Sequence, residues 1–155
     1  MPFTDIFSSP VAIASFSAWL LAQILKVPIE YFRNRHWNWA LLLSAGGMPS
    51  SHSALMTAVA ASIGHYHGFG NPVFVLALAI AGIVIYDATG VRRESGLQAQ
   101  RINLIIEEIF ERKTWPEQDI KDLRESIGHS PGEALGGIAF GLLVSVLVWV
   151  LMPVG

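Results

Sequence analysis

With 155 residues, 52% of them hydrophobic and only 14% charged, the chain is more apolar than an ordinary soluble domain, and its mean hydropathy is +0.48. It contains no cysteine, which excludes a disulfide framework and thiol catalysis, and its formal net charge of −2 argues against nucleic acid as a partner. The length suits one domain, 1–155, and the composition directs attention to segments long enough to enter a membrane.

The first such segment, Val11 to Leu25, has Gln23 as its only strongly polar side chain. Nothing before it resembles the basic region and small-residue cleavage site of a signal peptide, so it is expected to be retained. It runs into Lys26-Val-Pro-Ile-Glu-Tyr-Phe-Arg33, where a spacing of seven residues brings the two cations within about 20° on a helix. Both can then grip one anion, if Pro28 leaves the helix straight; as ordinary interfacial residues they would instead snorkel to headgroups.

The polar knot Gly46-Gly-Met-Pro-Ser-Ser-His-Ser-Ala54 follows. Ser50 or Ser51 is a natural N-cap for the Ala-rich helix beginning near His52. The free N–H groups and partial positive charge of that helix start suit a phosphate, and His52 can pass a proton to a bound oxyanion. The helix itself, His52 to Gly68, is rich in Ala and Ser and is expected to be shielded by its neighbours. His36, His65 and His67 are expected at the interface, away from the chemistry.

Val73 to Tyr86 is apolar apart from Gly82 and reaches spanning length with Pro72 at its start and Asp87 to Val91 at its end. Asp87 near the membrane boundary calls for a cationic partner, and Arg92 and Arg93 lie close in sequence. Segment 94–128 carries Ile102, Ile105, Ile106 and Ile109 at helical spacing opposite Glu107, Glu108, Glu111 and Arg112. Thr114-Trp-Pro-Glu117 then begins a second short helix bearing Ile120, Leu123 and Ile127, so an amphipathic helical hairpin is expected.

In the last segment, Ser130 as N-cap, Pro131 at the first helical position and Glu133 three residues on form a capping box. That box leaves His129 unexplained. A carboxylate at i+4 can orient its imidazole, as a nucleophilic or general-base histidine requires. Ala134 to Val154 is free of charge, and Gly132, Gly136, Gly137 and Gly141 allow close helix approach, within one subunit by default and between subunits as the minority reading.

These segments predict an all-α polytopic membrane bundle of about four transmembrane helices plus a cytoplasmic amphipathic hairpin. Alternating four spans places 26–51 and 92–130 on one face, which holds all ten Lys and Arg. That bias makes this face cytoplasmic, and it persists when Lys26, Arg33, Arg92 and Arg93 are set aside as site residues. The cations, helix N-termini, His52, His129 and Glu133 then share one end of the bundle. Such a set suits phosphoryl transfer without a metal: positive groups clamp the phosphoryl oxygens, one histidine attacks in line and the other protonates the leaving oxygen.

In these features the chain resembles the type 2 phosphatidic acid phosphatases, related to the vanadium haloperoxidases, and in particular their small divergent branch. The superfamily motifs K-x6-R-P, P-S-G-H and S-R-x5-H-x3-D correspond to Lys26 to Arg33, Pro49 to His52 and His129 to Glu133; "MPSSHSA" and "YDATGVRR" resemble the divergent branch closely. Asn34 stands for the proline of the first motif, Ser51 for the glycine of the second and Glu133 for the aspartate of the third. Leu123 occupies the place of the third-motif arginine. Arg92 or Arg93 is expected to serve instead, with 94–128 inserted between the halves of that motif; Arg124 is a weaker candidate.

The resemblance implies a vanadate-sensitive, cofactor-free phosphatase of phospholipid metabolism, acting on phosphatidate, phosphatidylglycerophosphate or a polyprenyl diphosphate at the cell membrane. It implies His129 as the nucleophile forming a phosphohistidine, Glu133 as its orienting acid and His52 as the general acid. Lys26, Arg33, Ser51 and Arg92 or Arg93 would hold the phosphate, with Ser50 and Asp87 in support. Usual members have six spans with the motifs on the last four; this chain resembles those four alone, so a homodimer could supply the missing packing. The motif departures also suit a second reading, a catalytically silent lipid-headgroup-binding or scaffold protein. A transporter would need a polar path, whereas the outer half of the spans is apolar apart from small residues.

Overall fold

The computed structural model describes residues 3–44, 46–111, 123 and 128–153, which are helical with no strand among them. After a 3-10 turn, Phe3–Ser8, come α1 (Pro10–Asn34), a 3-10 helix (Trp39–Leu43), α2 (Ser51–His67), α3 (Pro72–Thr89), α4 (Val91–Glu111) and α5 (Pro131–Leu151). Starts and stops follow local chemistry. Ser9, Ser50, Asn71 and Ser130 cap the N-termini of α1, α2, α3 and α5, and proline occupies the first turn of α1, α3 and α5. Helix α1 continues through Pro28 to a left-handed C-cap at Arg35, so Lys26 and Arg33 belong to one helix.

Three stretches are long and apolar enough to cross a membrane: Pro10–Asn34, Pro72–Glu108 and Pro131–Leu151. Helix α2 is shorter, at 17 residues, and occupies the centre, packed against α1, α3 and α5. That position explains its Ala and Ser content, because partners on three sides leave little room for large side chains. The core joins Ala18 and Ala22 of α1, Ala54 and Ala58 of α2 and Val144 of α5, with Phe140 and Val148 packed against it.

Gly137 and Gly141 of α5 are consumed within the subunit. A Cβ on Gly137 would collide with the Ser50 carbonyl and meet Ser53 Cβ at 2.8 Å, and one on Gly141 would collide with the Ala54 carbonyl and meet Thr57 Cβ at 3.0 Å. Gly132 faces open space. Van der Waals approach of backbones is the main source of helix affinity where lipid is as apolar as the side chains. Polar groups reinforce the far end: Ser62 and Ser145, both fully buried, are hydrogen-bonded at 2.9 Å, and Tyr66 Oη donates to the carbonyls of Val148 and Met152. His65 stacks on Trp149, with Nδ1 3.5 Å from Ser145 Oγ.

Helix α4 begins at Val91, sooner than the sequence pattern suggested, separated from α3 by Gly90 alone. Its Ile102, Leu104 and Ile105 are exposed. The second helix expected from Thr114 lies outside the described residues apart from Leu123, whose N–H donates to the Asn103 side-chain oxygen and whose carbonyl accepts from the Asn103 amide.

Candidate active site

One end of the bundle gathers the C-terminus of α1, the N-termini of α2 and α5 and the α3–α4 junction. Two backbone bonds lock this end: Ser50 N–H donates to the Glu133 carbonyl and His129 N–H to the Ala88 carbonyl, each at 2.9 Å. Gly128 has φ +94°, and a Cβ there would strike the backbone of Arg92 and Arg93. Only glycine satisfies both demands. Gly128 therefore lies against the backbone of Arg92 and Arg93, one residue before His129.

His129 is buried, 3% exposed, and its Nδ1 lies 3.3 Å from Glu133 Oε2. The same Oε2 accepts from Ser130 N–H, while Glu133 N–H donates to Ser130 Oγ, which completes the capping box. A carboxylate beside Nδ1 favours the tautomer with the proton there, which leaves the Nε2 lone pair free. His52, in the first turn of α2, is exposed, and its ring centroid stands 6.4 Å from that of His129. The two imidazoles thus stand side by side, one exposed and one buried, with their planes inclined at 53°.

Cations surround this pair. The charges acting on His52 are those of His129, Lys26 and Arg92, and those acting on Glu133 include Arg33. Lys26 is only 1% exposed; its Nζ donates to the Ser44 carbonyl at 3.0 Å, and it feels the negative charge of Glu133. Arg33 is exposed at the end of the same helix. Arg92 Nε donates to Asp87 Oδ2 at 2.6 Å, an ion pair that turns the guanidinium while leaving its two terminal nitrogens for another acceptor. Arg93 meets the site through its backbone, beneath Gly128.

The serines divide the work. Ser50 Oγ accepts from Ser53 N–H and Ser53 Oγ, so its hydroxyl is committed to the α2 cap. Ser51 is buried at the first position of α2. The structure therefore brings together Lys26, Arg33, Ser50, Ser51, His52, Arg92, His129 and Glu133, with Asp87 joined through Arg92. Arg124 lies outside the described residues. Among the described residues no group of three His, Cys, Asp or Glu side chains is arranged to hold a metal ion. Sequence reading missed Gln23 and the Ser44 carbonyl, whose contact spans 21 residues, and Gly128, whose signal was a lone glycine next to the histidine.

A family model described as "Divergent PAP2 family" matches residues 7–144, which include every residue of this cluster. The chain belongs to the Divergent PAP2 family. A further relative is the uncharacterized membrane protein YuiD of Bacillus subtilis (strain 168), 38% identical over 144 residues that cover 88% of this chain and 91% of that protein. No solved structure matches the chain. Membership makes this protein a divergent branch of the PAP2 superfamily, and its apolar helices, together with the relative, make it a multi-pass membrane protein.

Proposed function

We propose that this Divergent PAP2 protein is a metal-independent membrane phosphatase that hydrolyses a lipid phosphate or diphosphate through a phosphohistidine at His129. The observation that carries the reading is the 6.4 Å separation of the His52 and His129 rings inside one group of cations. With Glu133 holding Nδ1, the Nε2 lone pair attacks phosphorus in line with the ester oxygen. The P–O bond breaks, and the departing oxygen takes a proton from His52. Lys26, Arg33 and Arg92, with the N-termini of α2 and α5, stabilise the charge on the phosphoryl oxygens. Water then attacks phosphorus, gives its proton to neutral His52 and cleaves the P–N bond, which releases phosphate and restores His129.

We read α2 as a fourth crossing beside the three long apolar spans, which puts the site at the cytoplasmic headgroup level. At 1.5 Å per residue, α2 is about 26 Å long, near the hydrocarbon thickness of about 30 Å, and it packs beside α1, α3 and α5. The basic residues of both loops set the side. Because the chain has no cysteine, Arg35→Cys and Gly70→Cys give a clean test. An impermeant reagent on intact cells is expected to label position 70 and spare position 35; the reverse pattern overturns the side.

The experiment that tests the activity is phosphate release by purified protein from phosphatidate, phosphatidylglycerophosphate and polyprenyl diphosphate in detergent. Turnover of at least one, lost in His129→Ala, is expected. Equal inactivity of wild type and variant across all three overturns the enzyme in favour of a silent headgroup-binding protein.

A further inference from the structure

Gln23 sits one turn before Lys26 on α1 and is half-buried. Its amide nitrogen lies 2.7 Å from the Leu42 carbonyl and 3.2 Å from those of Leu41 and Ser44. Three oxygens around one atom fix the orientation of the amide, since only the NH2 end can face them. These carbonyls lie at the end of the 3-10 helix Trp39–Leu43, where Leu41 also accepts from the Ser44 N–H at 3.2 Å. The Ser44 carbonyl is the one that Lys26 Nζ also uses, at 3.0 Å. Beyond it the chain folds over the lysine stem: Gly47, at φ +92°, lies where a Cβ would stand 3.6 Å from Lys26 Cδ and 3.4 Å from Leu41 Cδ2.

We infer that Gln23 is a positioning residue for Lys26, holding the Leu41, Leu42 and Ser44 carbonyls so that the buried ammonium keeps donors for an anion. An ammonium has three N–H donors, and one goes to Ser44. By covering Leu41 and Leu42, Gln23 keeps those carbonyls from drawing the other two. Without it, the freed carbonyls on the same turn as Ser44 would compete with phosphate for the same cation. This role rests on the reading of Lys26 as a phosphate ligand, and it gives function to a polar side chain inside an apolar segment.

The test is a double-mutant cycle read by titration of inorganic phosphate into purified full-length protein in detergent. The four proteins are wild type, Gln23→Met, Lys26→Met and the double variant. Methionine retains the length and volume of both side chains while removing the donors. Gln23→Met is expected to weaken phosphate about tenfold, the scale of a lost hydrogen bond to a charged group. The double variant is expected to match Lys26→Met alone, because Gln23 acts through the lysine. Additive losses, or an unchanged Gln23→Met, overturn the positioning role while leaving the phosphate site standing. An unchanged Lys26→Met overturns the phosphate site itself. Gln23→His, which can still donate to Leu42, serves as the conservative variant: partial recovery is expected, and binding as weak as in Gln23→Met contradicts the donor role.

Discussion

Replacement of Gly137 by alanine tests the contact on which the site depends. A Cβ there meets Ser53 Cβ at 2.8 Å and runs into the Ser50 carbonyl, whereas carbon atoms settle at about 3.5–4.0 Å. Helix α2 must therefore move away from α5 by about 1 Å. Overpacking of that order costs about 1–3 kcal/mol, and the better helix propensity of alanine returns up to about 1 kcal/mol. The net loss of about 1–2 kcal/mol corresponds to a fall in melting temperature of roughly 2–8 °C for a chain of this size. Gly132→Ala is the matched control, since nothing lies within 4 Å of its added methyl. Thermal unfolding in detergent compares the two. The displaced Ser50 is also bonded to Glu133 and caps the helix carrying His52, so Gly137→Ala is expected to lower activity as well. A Gly137→Ala protein as stable as Gly132→Ala refutes the close α2–α5 packing.

Glu133→Gln keeps an acceptor for Ser130 N–H but removes the charge beside His129; kcat is expected to fall by about 10³–10⁴-fold, the scale seen when an orienting carboxylate is neutralised, with little change in melting. Arg92→Ala is expected to lower kcat/KM by about 100-fold or more, and Arg93→Ala by less than about threefold, because Arg93 contributes through its backbone; steady-state kinetics on one lipid phosphate distinguish them. Ser62→Ala and Ser145→Ala are expected to show a coupling near 0.6 kcal/mol, typical of interhelical hydrogen bonds in membranes, in a thermal-shift double-mutant cycle, with turnover unchanged.

The helices were legible because lipid exposure forces long uncharged runs, and their starts because Ser50, Ser130 and the prolines signal caps locally. The gathering of the cluster was partly legible: His52 and His129 lie at the starts of α2 and α5, and Lys26 and Arg33 share the last turns of α1. Less could be read of what joins helix to loop. Gln23 donates to carbonyls 18–21 residues away, and backbone acceptors carry no residue-type signal. The packing of Gly128 on the backbone of Arg92 and Arg93 needed the fold, since the contact joins residues 35 positions apart. His65, read as interfacial, stacks on Trp149, a pairing across two helices that periodicity cannot reveal. The start of α4 at Val91 was hidden by Gly90, which reads as a break but interrupts the helical path for one residue only.

The central claim is covalent catalysis at His129, and a single-turnover quench with lipid substrate radiolabelled in the phosphate tests it most directly. Wild-type protein is expected to carry an acid-labile, alkali-stable label that is absent from His129→Ala. Label retained in His129→Ala, or phosphate released with no labelled protein at any quench time, contradicts the phosphohistidine.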